Sequence, residues 1–381
     1  MSSRPALDAC PACLRRSWLL STLSGVLDRC ARDRARLLEL LALDDEQLIA
    51  AVAGRRRAEL MAAYERVEAD DPGHELAVCR HARLYPRALS DRGAPHMLTV
   101  RGGAERLSRL TAAPVVAILG SRAPSDYGCE TARGVARGLA ASGVTVAAGL
   151  ADGIAAAALA GAHEAGAGAV AVLGDGLGVA CPPRLRPLYE RVTRRGCAVS
   201  ELPRDCVGRR WGQLASARIV VALASLCIVV EARTTPEELA AAAIAKSLGR
   251  TLAAVPGRVS SPLSQGPNAL LMGGASLVRG PRDVLELMYA LEPRPAGGPT
   301  APARSSRPAP AYPAGNPCPA AMRPALLAVL ERVGCGYDTP DKLTRAGVDP
   351  REVLPALSEL ELTGLLTRGD GGRYLPRDPL D

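Results

Sequence analysis

The stretch from Pro114 to Leu150 constrains the chain most. It begins PVVAILGSRAPSDYG, continues through a small-residue helical segment and ends GVTVAAGL. The apolar run Val115–Leu119 stops at Gly120-Ser121-Arg122, and the apolar run Val144–Ala148 stops at Gly149. Strand, glycine turn, helix, strand is a βαβ unit, with its turn at the carboxyl end of the first strand. Open α/β sheets bind ligands at that edge. Backbone N–H groups and helix amino ends face outward there and favour anions, phosphate above all. Arg122 adds a fixed positive charge to the turn.

The alternation continues beyond this unit. Apolar strands are expected at Val115–Leu119, Val144–Ala148, Ala169–Leu173, Ala198–Ser200, Leu226–Val230 and Thr251–Val255. Helical runs lie between and after them, including Glu130–Ala141, Ile154–Ala165, Pro236–Leu248 and Pro281–Leu291. Near-continuous apolar strands separated by helices predict a parallel sheet covered on both faces. Residues 114–291 are therefore read as an α/β core built on that parallel sheet. Before it, residues 1–72 are a small helical domain ending near Asp71-Pro72-Gly73. Leu37, Leu38, Leu40, Leu41 and Leu48 recur in it near helical spacing, and Asp44-Asp45-Glu46 makes an acidic helix start. Residues 73–113 are a connector in which Met97–Val100 is a short strand. Residues 292–320 hold nine prolines and no apolar period, the composition of an extended linker. Residues 321–381 read as three helices and a hairpin turning at Gly369–Gly372, the winged-helix pattern.

At 381 residues the chain is long enough to bury a full core without covalent staples. The net charge of +8 favours a polyanionic partner. The 11 scattered cysteines do not form a disulfide framework and fit reduced thiols in a cytoplasm. No run approaches the roughly 20 apolar residues of a membrane span, so no membrane association is expected. Cys10-x-x-Cys13 is half of a zinc-site spacing that Cys30, Cys79 or His81 could complete. A single CxxC is weak, and free cysteine is a common small core residue, so packing is the favoured reading and no metal or cofactor is expected.

Nothing forms a catalytic set. The four histidines are dispersed, and no serine or cysteine sits in a nucleophile motif. Gly174-x-Gly176-x-Gly178 has the wrong final spacing for a dinucleotide fingerprint, and Asp175 would repel a pyrophosphate. The segment 255–275, VPGRVSSPLSQGPNALLMGGA, is long, polar and irregular. It offers donors at Arg258, Ser264, Gly266 and Asn268, with no acidic group.

These blocks resemble the DprA/Smf family of bacterial DNA-processing proteins. VAILGSRAPSDYG, GVTVAAGLADGI, AVAVLGDGLGVACPP, AVSELP, CIVVEA and AAVPGRVSSPLSQGPNALLMGGA match successive family blocks in order and spacing. The connector (RLYPRAL, HMLTVRG) and the tail (SELELTGLLTRGDGGRYLP) are also similar, so the resemblance covers nearly the whole chain. It implies an extended Rossmann-like core with an amino-terminal SAM- or helix-hairpin-helix-like domain and a carboxyl-terminal winged helix. It also implies binding and protection of single-stranded DNA in natural transformation, loading of the RecA recombinase, a homodimer and no catalytic turnover. The DNA contacts it implies are Gly120, Ser121, Arg122, Gly149, Gly153, Arg218, Gly257, Ser264, Gly266 and Asn268.

The chain departs from the family pattern at three places. Asp152, Ala155 and Ala158 stand where the family usually has GLARGID and a histidine. Ser216-Ala217 replaces a polar pair before Arg218. Thr235-Pro236-Glu237-Glu238 replaces a serine–glycine segment. These changes motivate a second reading, a diverged paralogue acting as a protein adaptor. A third, a nucleotide phosphoribohydrolase, lacks its PGGxGTxxE-type segment at Pro256-Gly257-Arg258.

Overall fold

A computed structural model of the chain describes residues 9–67, 77–90, 93–291, 323–334, 337–363, 365–368 and 373–376. The expected linker at 292–320, the end of the helical module at 71–73 and the hairpin turn at 369–372 lie outside the described residues. The chain forms two compact units, Met1–Pro293 and Arg294–Asp381.

The first unit opens with five short helices: α1 (Pro11–Thr22), α2 (Ser24–Cys30), α3 (Arg34–Leu41), α4 (Asp45–Val52) and α5 (Arg57–Glu65). Asp33 caps α3, and Asp44 caps α4 in a capping box with Gln47, so the acidic start read from sequence is a cap. Next come β1 (Ala77–Cys79), β2 (Met97–Arg101), α6 (Ala104–Ala112), β3 (Val115–Leu119), α7 (Asp126–Ala141), β4 (Thr145–Gly149), α8 (Ile154–Glu164) and β5 (Ala169–Val172). The unit continues through α9 (Arg186–Arg195), β6 (Cys197–Ser200), α10 (Arg209–Leu223), β7 (Leu226–Val229), α11 (Ala240–Ser247), β8 (Thr251–Ala254), α12 (Gln265–Met272), β9 (Ser276–Leu277) and α13 (Pro281–Leu291).

The nine strands form one sheet in the order β1-β2-β6-β5-β4-β3-β7-β8-β9. The pairs from β6 to β9 are all parallel, while β2 joins β6 and β1 joins β2 antiparallel. The segment read as a connector thus supplies two strands and a helix, extending the parallel sheet with an antiparallel edge. Successive residues of each central strand enter opposite cores, as the two-residue period of a strand requires. Val116, Ile118, Val146 and Ile228 pack with α7, α8, α9 and α13, whereas Val115, Ala117, Val170 and Cys227 pack with α6, α10 and α11. Burial on both faces explains why these strands read as unbroken apolar runs.

The amino-terminal helices share a core with the sheet unit. Leu19, Leu27, Leu37, Leu40 and Leu48 pack with Leu202, Ala215 and the fully buried Trp211 of α10. The Trp211 indole donates to Ser24 Oγ at 2.9 Å, and Asp28 accepts from the Arg210 backbone at 2.9 Å.

The second unit contains α14 (Pro324–Gly334), α15 (Pro340–Arg345) and α16 (Pro350–Leu362), followed by β10 (Leu366–Arg368) paired antiparallel with β11 (Tyr374–Pro376). Leu326, Val329, Val353, Leu357, Leu360 and Tyr374 form its core. Asp349 caps α16 and Pro350 occupies its first turn, as their residue types predict.

Candidate nucleic-acid interface

The chain runs outward from β3 through β4 and β5 to β6, then returns to place β7 on the other side of β3. This reversal puts a crevice between the carboxyl ends of β3 and β7, the usual ligand position in an open α/β sheet. Two groups of sequence-predicted residues meet at this point.

The first group is built around Gly120-Ser121-Arg122. The Ser121 amide donates to the Glu231 carbonyl at 2.6 Å, and the Ile154 amide donates to the Ser121 carbonyl at 3.1 Å. Gly153 presses on the same turn with φ of +80°. A Cβ there would lie 2.3 Å from the Ser121 carbonyl oxygen and 2.8 Å from Arg122 Cα. Only glycine fits both that backbone conformation and that approach. Ser121 is buried, so it shapes the turn from within. Arg122 points the other way. It is exposed and makes no hydrogen bond or ion pair among the described residues.

The second group is the segment after β8. Asn268 clamps Gly257 by accepting from its amide at 3.1 Å and donating to its carbonyl at 3.0 Å. A Cβ on Gly257 would meet Ser264 Oγ at 2.2 Å. The Gly266 amide donates to the Ala232 carbonyl at 2.9 Å, and the Ala232 amide donates to Leu263 at 2.8 Å. Leu263 and Gly266 thus fasten the loop to the segment that follows β7, while Asn268 and Ser264 hold it from within. Arg258 stands on the loop's exposed side.

Gly149 lies one strand away, and a Cβ on it would have Ser216 Oγ as its nearest side-chain neighbour, at 3.8 Å. The Ser216 hydroxyl itself donates to the Val172 carbonyl at 3.1 Å. Arg218 does not join these residues. It is 6% exposed in the middle of α10 and paired with the equally buried Glu201. The expectation that Arg218 contacts DNA is therefore corrected: the guanidinium neutralises a buried carboxylate. A buried ion pair cannot lose one partner to a phosphate without stranding the other.

Two acidic departures from the family pattern have internal partners. Asp152 accepts from Arg184 Nε at 2.7 Å, and this bond holds its carboxyl below the usual carboxylate range. Glu238 sits on Arg233, whose backbone amide and Nη1 each donate at 2.8 Å. Burial pushes the Glu238 carboxyl up, but the Arg233 hydrogen bonds outweigh it and keep the group ionised below its ordinary range. The same segment holds a turn where a helix start was expected, so α11 begins at Ala240 and not at Pro236. Glu231 fills a third position. It accepts from the Ser125 amide at 2.8 Å and the Ser125 hydroxyl at 2.7 Å, placing a carboxylate at the amino end of α7. That helix end, where an external anion is commonly bound, is already occupied from within.

Sequence reasoning passed over Arg184, Arg233 and Glu231 as partners. Glu238 and Arg233 are five residues apart, and a local charge pairing was the available signal. Asp152 and Arg184 are separated by 32 residues, and only the topology brings them together. Among further cations, Arg209 and Arg210 begin α10 beside the Gly174 end of β5. Lys246 ends α11 just before β8 and so belongs to the opposite edge.

The arrangement offers exposed positive charge on a rigid glycine-shaped ledge, with Asp152 and Glu238 each paired to an arginine and Glu231 turned onto Ser125. It contains no nucleophile–base pair. The comparisons agree with that chemistry. The family model described as DNA recombination-mediator protein A matches residues 77–289. Protein Smf of Escherichia coli K12 is 33% identical over 80% of this chain and 78% of its own length. DNA processing protein DprA of Streptococcus pneumoniae R6 is 33% identical over 53% of this chain and 70% of its own. The X-ray structure of DNA processing protein A from Streptococcus pneumoniae superposes with a TM-score of 0.58 at 27% identity, covering 73% of this chain and 98% of that one. The chain belongs to the DNA recombination-mediator protein A family, that of the DprA/Smf proteins.

Proposed function

We propose that this protein is a non-catalytic recombination mediator that binds single-stranded DNA along the carboxyl edge of its sheet. The observation that carries the reading is Arg122: exposed, in no hydrogen bond or close ion pair among the described residues, with the one carboxylate that feels its charge, Asp152, already bonded to Arg184, and fixed by a turn that Gly153 and Glu231 lock from two sides. Arg258 extends the positive ledge across the strand-order switch. Gly120, Ser121, Gly149, Gly153, Gly257, Ser264, Gly266 and Asn268 shape the ledge, and the arginines contact phosphate. Phosphate contacts dominate nucleic-acid affinity and carry no sequence preference, which suits protection of arbitrary single strands.

Loading of RecA, action as a homodimer and a cytoplasmic location complete the proposal. Support for self-association comes from the last elements of the first unit. They leave Met272 92%, Leu277 51% and Tyr289 81% exposed, and Leu277 lies on the edge strand β9, whose free side a second copy could cover. No helix among the described residues is long and apolar enough to cross a membrane.

Fluorescence anisotropy of a labelled oligo-dT, titrated with the full chain at several salt concentrations, tests the reading. Tight, salt-dependent binding that prefers single strands to duplex supports it. Absence of binding at low salt overturns it and favours the adaptor reading. One feature does favour that second reading for the tail: α16 exposes Leu354, Glu361 and Leu362 along one side, a face better suited to protein than to DNA. Removal of residues 321–381 is expected to leave oligo-dT affinity within a factor of about two.

A further inference from the structure

We infer that Cys10, Cys13, Cys79 and His81 form a structural zinc site that fastens the first helix to the edge strand of the sheet. The inference is independent of the DNA-binding reading. The four ligand atoms lie within 4.8 Å of one another. This corrects the expectation that the CxxC cysteines are ordinary packing residues and that no metal group exists; Cys30 takes no part.

The donors come from two segments, each supplying a pair. Cys10 caps α1 and Cys13 lies in its first turn, so the CxxC spacing turns both sulfurs to one side as the chain enters the helix. Cys79 ends β1, and His81 follows across one residue. His81 Nδ1 is 3.3 Å from Cys10 Sγ, 3.6 Å from Cys13 Sγ and 4.0 Å from Cys79 Sγ. In a tetrahedral site with bonds of about 2.3 Å to sulfur and about 2.0 Å to nitrogen, each sulfur–nitrogen edge is about 3.6 Å. The observed edges bracket that value, so closing on an ion requires only small side-chain movements. The Cys10 amide also donates to Cys79 Sγ at 3.4 Å, the kind of outer contact that orients a metal-bound thiolate.

Three sulfurs and one imidazole in tetrahedral array select zinc over the hard cations, which prefer oxygen. Four protein ligands leave no open position, so the site holds structure and not chemistry. Cys13 and Cys79 are buried with Leu14, Ala77 and Met97, whereas His81 is exposed and gives the ion its path from solvent. On binding, the thiol protons pass to water and the ion takes their place.

Metal analysis of the full chain, purified without an affinity tag or chelator, tests the site. The expected result is about one zinc per chain, lost in Cys10→Ser and sharply reduced in His81→Ala. The exposed His81 position keeps the second variant folded, as circular dichroism would verify. Titration of the reduced, metal-free protein with cobalt(II) should add a thiolate-to-cobalt charge-transfer band that His81→Ala alters and Cys10→Ser weakens. Metal-free protein that also fails to develop this band overturns the inference, as does a native Cys10–Cys13 disulfide in protein without metal.

Discussion

Arg122 and Arg218 are both DNA contacts implied by the DprA/Smf resemblance, yet they occupy opposite environments. Arg122 lies on a turn whose backbone is held from two sides, while its side chain makes no hydrogen bond or close ion pair among the described residues. Arg218 lies in the middle of a helix against the buried Glu201, its charge already matched. The contrast teaches that a cation in a matching block is available to phosphate only when the fold leaves it both exposed and unpaired. The same test applies to acids: Asp152 and Glu238 look repulsive in the sequence, but each is neutralised by an arginine of its own.

Each part of that contrast is open to experiment. The largest effect is expected from Arg218→Ala, which strands the Glu201 carboxylate and should cost about 3–5 kcal/mol of stability. Denaturant unfolding reads the loss, and oligo-dT affinity of the remaining folded protein should be unchanged. Gly153→Ala comes next. The added methyl meets backbone at 2.3 Å in a conformation disfavoured for alanine, so a loss of at least about 1–3 kcal/mol is expected, together with weakened DNA binding because the Arg122 turn must shift. Arg122→Ala should leave the unfolding midpoint alone and weaken oligo-dT binding by about tenfold, the weight of one charge-assisted contact. Arg184→Ala frees Asp152 to repel phosphate, and a smaller loss, up to about fivefold, is expected at low salt, fading as salt rises.

Stability should also depend on pH. Burial pushes the half-buried His96 imidazole down from 6.5 to about 4. Below pH 6.5 the unfolded chain takes up a proton that the folded chain refuses. His96 therefore contributes stability that is fully present above that pH and declines toward pH 4. Thermal unfolding between those limits should show the decline, and His96→Gln should flatten it.

The core was legible in the sequence because it rests on local signals. Each β3-to-β8 strand buries both faces, which writes an apolar run, and each glycine turn marks a strand end. The edge of the sheet was less legible. The Met97–Arg101 strand was legible but its antiparallel place beside β6 was not, and the three-residue Ala77–Cys79 strand carries almost no periodicity. Within the site, Gly120, Gly153 and Gly257 were recognisable by type, since tight approaches require glycine. The Arg218–Glu201, Asp152–Arg184 and Ser121–Glu231 partnerships were not, because each joins segments that only the folded sheet brings together. The cysteine–histidine group shows the same limit: Cys10 and Cys79 are 69 residues apart, so the motif looked half-finished.

The most direct test of the central contrast is the salt dependence of oligo-dT binding, measured side by side for the wild type, Arg122→Ala and Arg218→Ala under conditions where all three are folded. Arg122→Ala should lower the slope of log K against log salt by about 0.7, the loss of one single-strand phosphate contact, while Arg218→Ala retains the wild-type slope. An unchanged slope in Arg122→Ala, or a reduced slope in folded Arg218→Ala, would contradict the account.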